Sequence, residues 1–299
     1  MNGIIIVDKP ADWTSHDVVA KLRGALKIKR IGHGGTLDPM ATGVLPVFVA
    51  RATRAAEFCE NAEKEYIASL RPGLVTDTQD TTGSTLRECE ASISAEDISA
   101  VLPRFLGAQK QIPPMYSAIK LGGKKLYELA RRGVEVPRPE RDIFVSEIEL
   151  LGGNESSNAG GNEGDYSLRI VCSKGTYIRT LCHDIGAALG CGGAMSSLRR
   201  IRAGTFTIDK AHTLDTILAA IADGSIDRHI IPVDSIFSVY PAATLSDAAV
   251  YKCKHGAPCR AKNLADGKYR FYGPDNEFLL FGEMVSGIIK PIKGFFDPT

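Results

Sequence analysis

Apolar and polar positions follow two periods along this chain, and the switches between them mark its elements. Ile4-Ile5-Ile6-Val7 is a continuous apolar run that stops at Asp8-Lys9-Pro10, which predicts a strand over 3–8. Val18, Val19, Leu22 and Leu26 recur at helical spacing behind Thr14 or Ser15, either of which can cap that helix. The apolar stretch 43–50 predicts a second strand and 52–62 a short helix, and Lys64 to Arg71 alternates as a third strand does. An acidic turn, Gly73 to Asp80, follows, and Ser94 with Glu96 and Asp97 starts a helix over about 95–106. Residues 143–151 and 166–172 read as strands, Cys172 to Arg179 opens a helix ending near Gly190, and Thr213 caps one with Leu214, Ile217, Leu218 and Ile221 on its core face. Past a seam at Pro232–Pro241, the stretches 257–262, 268–273, 277–282 and 287–293 predict short strands joined by Gly- and Asp-bearing turns. That is the pattern of a small all-β, barrel-like module.

Two stretches break this rhythm. Residues 104–141 carry Arg104, Lys110, Lys120, Lys124, Lys125, Arg131, Arg132, Arg138 and Arg141 against Glu128, Glu135 and Glu140, with Tyr116 and Tyr127 among them. Prolines at 113, 114, 137 and 139 bracket a predicted helix near 124–132 that Gly133 stops. Clustered cations with interleaved aromatics suit a mobile insertion that binds nucleic acid, and a solvated surface helix is the plain alternative. Residues 152–165 are rich in Gly, Asn and Ser and predict a disordered loop.

Composition narrows the picture modestly. A chain of 299 residues is long enough for one large domain, or a large and a small one. The net charge of +1 leaves the placement of charge, not its sum, to decide whether an anionic partner is expected. No apolar run is long enough for a membrane span, and the N-terminal run is short and lacks the basic start of a secretion signal. The seven cysteines contain no C-x-x-C pair, which suits reduced thiols in a cytoplasmic protein. Cys182-His183-Asp184 invites a thiol-nucleophile reading, but adjacent helical positions do not face one another.

The stretch with the most chemistry is Gly32-His33-Gly34-Gly35-Thr36-Leu37-Asp38-Pro39-Met40-Ala41-Thr42-Gly43, which feeds directly into a buried strand. It matches neither the dinucleotide fingerprint nor the phosphate-loop pattern. Either it only connects two elements, or its backbone approaches a ligand, with Asp38 at its tip before a φ-restricted proline. Asp38 has no Lys or Arg within several residues, so an ionised, partly buried Asp38 needs a partner from elsewhere in the fold.

That stretch resembles the catalytic motif of the TruB-type tRNA pseudouridine-55 synthases. So do Asp8-Lys9-Pro10, Lys64-Glu65-Tyr66, Thr76-Asp77-Thr78-Gln79-Asp80, Pro113-Pro114-Met115-Tyr116-Ser117-Ala118, Ser173-Lys174-Gly175-Thr176-Tyr177-Ile178-Arg179 and Leu198-Arg199-Arg200. The match runs over about 3–204 in the family's order and spacing. It implies an α+β catalytic domain over 1–236, built on a mixed, mainly antiparallel sheet and carrying the basic insertion of about 104–141. It also implies a small all-β PUA-like RNA-binding domain over 241–299.

The resemblance also implies the chemistry. Uridine 55 in the T-loop of tRNA has its N1–C1′ bond broken and is rejoined through C5, with no cofactor and no metal. Asp38 becomes the nucleophile or electrostatic stabiliser; attack at C1′, attack at C6 and abstraction of a sugar proton all stay open. Arg179 becomes its charged partner, and Tyr66 the ring that stacks on the target base and can help move the C5 proton. Tyr177 and Leu198 line the uridine pocket, His33 contacts the everted loop bases, Lys9 with Pro10 braces the loop, and Asp80 hydrogen-bonds near the pocket. Lys124, Lys125, Arg131, Arg132 and Arg199 are the expected RNA contacts, the partner is the tRNA T-arm, and the protein is expected to be monomeric. Two rivals remain: an RNA-binding or RNA-folding protein without catalysis, and a carboxylate-pair glycosidase using Asp38 with Asp77 or Asp80.

Overall fold

The computed structural model describes residues 1–153, 164–261 and 264–296. The expected disorder over 152–165 therefore lies mostly outside the described residues. The chain opens with β1 (Gly3–Lys9), α1 (Ser15–Leu26), β2 (Ile31–His33), β3 (Thr42–Val49), α2 (Ala56–Asn61), β4 (Lys64–Pro72), β5 (Leu74–Thr76), β6 (Thr85–Glu88) and α3 (Ala95–Val101). It continues through β7 (Gly107–Gln111), β8 (Lys120–Leu121), β9 (Lys124–Lys125), α4 (Leu126–Ala130), β10 (Arg141–Gly153), β11 (Tyr166–Cys172), α5 (Ile178–Ala188), β12 (Gly193–Ala203) and β13 (Phe206–Thr207). It ends with β14 (His212–Thr213), α6 (Leu214–Ala222), β15 (Ala242–Thr244), α7 (Asp247–Lys254), β16 (Cys259–Arg260), β17 (Gly267–Tyr272), β18 (Phe278–Val285) and β19 (Ile288–Gly294).

The described chain forms two compact units. One comprises 1–38, 45–60 and 204–299, the other 39–44 and 61–203. In the first, β1 lies between β14 and β3, and β2 pairs antiparallel with β3. The apolar periods read from the sequence meet here. Ile5 and Val7 of β1, Val18, Val19 and Leu22 of α1, Leu45, Val47 and Val49 of β3 and Leu214 and Ile217 of α6 form one core. Thr14 caps α1 in a reciprocal box with Asp17, which settles the choice between Thr14 and Ser15.

The same unit holds the C-terminal module, a sheet ordered β15-β17-β18-β19-β16 around Phe271, Leu280, Met284 and Ile289. The module also contains α7 and β15, which the sequence pattern did not announce. α7 has one buried side chain, Cys253, so it leaves little apolar period to read. The seam at 232–241 is packed: Phe237 stacks on Phe281 with ring centroids 4.3 Å apart, and the Tyr272 hydroxyl donates to Asp234 at 2.7 Å.

In the second unit the strands run β12-β4-β11-β10-β7, antiparallel throughout, and Thr42 and Gly43 pair parallel with Arg199 and Arg200. The sheet is thus mixed and mainly antiparallel. β12 carries irregularities between Met195 and Ser197 and between Arg200 and Arg202, and these interrupt the two-residue period that would have announced it. The predicted helix over about 95–106 is α-helical only to Val101 and finishes as a 3₁₀ turn over Leu102–Phe105, which contains Pro103.

The basic insertion is narrower than its charge pattern suggests. Gly107–Gln111 is an edge strand paired with the start of β10, so only the residues between Gln111 and Arg141 leave the sheet. Its residues are small or polar and give no strand signal. Within the insertion, β8 and β9 form a two-residue hairpin, and α4 covers Leu126–Ala130 where 124–132 was expected. Met115, Ser117 and Leu126 are buried, so the root of the insertion is packed and is not isolated from the fold.

Candidate active site

The first unit supplies the carboxylate. Asp38 is half-buried and is the unit's last residue before Pro39. The loop that carries it is held in several places. Gly34 N–H donates to Pro46 O at 2.9 Å, and a Cβ at Gly34 would come within 2.8 Å of both Cys59 Sγ and a Phe48 ring carbon. Glycine is required there because the backbone packs directly against two side chains. Leu37 is 3% exposed, and its N–H donates to Ser15 Oγ at 2.8 Å. Lys9 is fully buried; its ammonium donates to Pro10 O at 2.7 Å and to Trp13 O at 2.6 Å, and so fixes the turn that leads into α1. His33 ends β2, and its ring meets His16 edge to face at 5.4 Å.

The second unit supplies the guanidinium. Arg179 lies in the first turn of α5 with 4% exposure. Its Nη1 donates to Thr78 O at 3.1 Å, its Nη2 donates to Tyr116 O at 2.9 Å, and its Nε lies 3.8 Å from Asp80 Oδ2. The other carboxylate oxygen of Asp80 accepts from Thr78 Oγ1 at 2.8 Å, Thr82 N at 3.0 Å and Thr82 Oγ1 at 2.6 Å. A buried cation held in this way by two carbonyls and a nearby carboxylate has a fixed direction and a permanent charge. The turn bearing Asp80 is docked in turn, since Met195 N donates to Gln79 O and Thr81 N to Met195 O, both at 3.0 Å.

Asp77 and Asp80 therefore both have structural work. Asp77 Oδ1 accepts from Ser84 N at 2.8 Å, and its Oδ2 accepts from the Tyr116 hydroxyl at 3.4 Å. Burial first, and then Asp77, push that phenol above its ordinary value. The thiol reading also falls: burial pushes the fully buried Cys182 up to about 12, out of the nucleophilic range.

The base-facing candidates lie on adjacent strands of the second unit. Tyr66 of β4 is directly opposite Arg200 of β12, and Leu198 of β12 is opposite Ala68. Tyr66 and Leu198 are 9% and 7% exposed, so each presents only an edge to solvent. Tyr177 is half-buried just before α5, and Gln111 holds its backbone from both sides, accepting from Tyr177 N at 2.8 Å and donating to Tyr177 O at 3.0 Å. Arg199 Nη1 donates to Thr42 Oγ1 at 3.2 Å. Lys124, Arg131 and Arg132 are exposed on the insertion, and Lys125 and Arg131 lie over the Tyr127 ring at 5.3 and 5.4 Å.

Several residues hold this arrangement in ways that the sequence motifs do not reveal. Arg200, 1% exposed, donates through Nε to Val44 O at 2.7 Å. Gly43, at φ +101°, packs so closely that a Cβ would sit 2.2 Å from Arg200 O. Tyr116 and Ser15 hold their partners through backbone groups, which leaves no side-chain pattern to find. The one available signal was Thr14-x-x-Asp17: once that box caps α1, the Ser15 hydroxyl is left for another task.

The model for the TruB family pseudouridylate synthase (N terminal domain) matches residues 23–178. The chain belongs to the TruB family of pseudouridylate synthases. A second model, the tRNA pseudouridylate synthase B C-terminal domain, matches residues 179–238. The tRNA pseudouridine synthase B of Clostridium kluyveri is 39% identical over 302 residues, covering 99% of this chain and 100% of that protein. That of Pelotomaculum thermopropionicum is 45% identical, covering 100% of this chain and 96% of its own length, and that of Bacillus subtilis is 40% identical over 86% of this chain and 83% of its own. Among solved structures, a chain of a Cbf5-Nop10-Gar1 complex matches with a TM-score of 0.72 at 28% identity, covering 98% of this chain and 85% of that one. A chain of an H/ACA RNP bound to a substrate RNA containing 2′-deoxyuridine matches with a TM-score of 0.72 at 27% identity, covering 99% and 86%. This TruB-family member thus holds its 32–43 loop, its buried Arg179 and Tyr66 of β4 on the elements described above.

Proposed function

We propose that this enzyme converts uridine 55 in the T-loop of tRNA to pseudouridine. It breaks the N1–C1′ bond, turns the base and rejoins it to the sugar through C5. The observation that carries the reading is the family's Asp38 motif held on a rigid loop in a chain that also buries Arg179. The relatives that match over nearly their whole length are named tRNA pseudouridine synthase B. Asp38 acts as the ionised carboxylate at the reacting nucleotide, and Arg179 keeps it ionised by supplying a permanent opposite charge. Tyr66 stacks on the base and assists the C5 proton transfer, Tyr177 and Leu198 bound the uridine, and His33 contacts the loop bases. A stacked T-loop base must leave its stack before C1′ and C5 can be reached, at a cost of a few kcal/mol. Phosphate contacts by Lys124, Lys125, Arg131, Arg132 and Arg199, together with a PUA-like C-terminal module over 241–299, offset that cost.

The protein works as a monomer in the cytoplasm, a setting that its seven free cysteines suit. The deciding experiment incubates a T-arm transcript labelled with tritium at uridine C5 and then analyses its nucleosides. Tritium release with pseudouridine at position 55 and unchanged RNA mass is expected. Free uracil would establish a glycosidase instead, and tight binding with neither product would establish a non-catalytic RNA-binding protein.

A further inference from the structure

We propose that Ser15 is a positioning residue for Asp38. Ser15 is the first residue of α1 and is 1% exposed. It does not cap that helix: Asp17 N donates to Thr14 Oγ1 at 3.0 Å, and Thr14 N donates back to Asp17 Oδ2 at 2.9 Å. The Ser15 hydroxyl instead reaches 22 residues along the chain. It accepts from Leu37 N at 2.8 Å and donates to Leu37 O at 3.2 Å, so one hydroxyl holds both backbone polar groups of a single buried residue.

The consequence falls on Asp38. The Leu37 carbonyl belongs to the peptide plane that leads into Asp38, and that plane is rigid. Ser15 therefore fixes the backbone on the N-terminal side of the carboxylate. On the other side Pro39 disfavours the helical region for Asp38. With both flanks restrained, the Asp38 carboxylate has fewer directions open to it. The restraint continues behind Ser15, because the Lys9 ammonium ties Pro10 O and Trp13 O and so anchors the turn from which α1 starts. Ser15 is thus one physical link between Asp8-Lys9-Pro10 and the Asp38 loop.

This inference rests on the proposed role of Asp38, and its test separates the two. Single-turnover rate, Kd for tRNA and Tm are measured for the wild type, S15A, S15C and D38N. S15A is expected to fold with a lower Tm, to bind tRNA within about twofold of wild type, and to react about tenfold or more slowly. A displacement of about 1 Å at a reacting group costs up to about 10²-fold. S15C retains a weaker donor and acceptor and is expected to fall between. A wild-type rate in D38N overturns the role of Asp38 itself. An inactive D38N beside a folded S15A of wild-type rate overturns only the role of Ser15. Rate and affinity falling together would assign Ser15 to RNA binding and also overturn the proposal. If S15A does not fold, S15C is judged by the same criteria.

Discussion

At the scale of single residues the site divides into groups that carry charge and groups that hold backbone, and the two respond differently to substitution. Asp38→Asn is nearly isosteric and removes only the charge. It is expected to abolish isomerisation while leaving the Kd for tRNA within a few-fold of wild type, and a mutant that turned over normally would refute the assignment. Arg179→Ala removes a buried cation together with its bonds to Thr78 O and Tyr116 O. It is expected to lower the rate about 10²-fold, the scale of losing a preorganised electrostatic group. It is also expected to lower stability by about 1–3 kcal/mol, because two buried carbonyls lose their donor. Unchanged rate and unchanged Tm together would count against the role. The charged residues could be named from the chain because their motifs are specific. The holding roles could not: Ser15 and Arg200 bond to main-chain groups and Tyr116 offers its own carbonyl, and main-chain groups have no residue type. A sequence shows who can donate but not which carbonyl will come within reach.

At the scale of elements, β4 is where sequence pattern and structure agree most closely, and the reason is its two faces. Lys64, Tyr66 and Ala68 alternate with Glu65 and Ile67, and β11 and β12 pair along both sides. Glu65 lies on the more exposed face between two arginines, accepting from Arg169 Nε at 2.6 Å and from Arg202 Nε at 2.9 Å. Burial alone would raise its pKa, but the hydrogen bonds from Arg202 and Arg169 outweigh burial and hold the carboxyl below its ordinary range. A depressed carboxylate stabilises the fold fully above its unfolded value, about 4.3, and loses that contribution as pH falls toward the folded value. Glu65→Gln is therefore expected to lower the Tm at pH 7, by about 2 kcal/mol of stability. The deficit should shrink as pH drops below about 4, and a constant difference across thermal melts from pH 3 to 7 would show that the charge is not what stabilises the three strands. Elsewhere the pattern failed for definable reasons. The irregularities of β12 break its alternation, β7 is an edge of small and polar residues, and α7 buries a single side chain. Hydrophobic period reports burial, so elements that bury little or bury irregularly leave a weak trace.

At the scale of the whole molecule, the net charge of +1 gives a polyanion no global attraction, so affinity for RNA must come from where the cations are gathered. Lys124, Arg131 and Arg132 are exposed on the insertion, and Lys125 and Arg131 are drawn toward the Tyr127 ring. The insertion's root is packed through Met115 and Leu126, and Tyr116 O receives Arg179 Nη2. Its outer part is therefore the portion free to reorganise on RNA, while its base stays with the fold. Reversing the charges at Lys124, Lys125, Arg131 and Arg132 is accordingly expected to raise the KM for tRNA. It should also flatten the salt dependence, by about 0.7 in the slope of log affinity against log salt for each phosphate that is no longer neutralised. Turnover at saturation should fall much less, since the role proposed for these side chains is to hold the substrate and not to touch the reacting bonds. The same division predicts the pattern of proteolysis. Trypsin should cut the free protein after Lys124, Lys125, Arg131 and Arg132, not after Arg138, which Pro139 follows, and bound tRNA should protect those bonds. Equal cleavage with and without tRNA, combined with an unchanged KM in the reversed variant, would reduce the outer insertion to a solvated helix. The neutralising cations would then have to lie on the sheet and the C-terminal module, where the same salt titration, run on an Arg199→Glu variant, would find the missing slope.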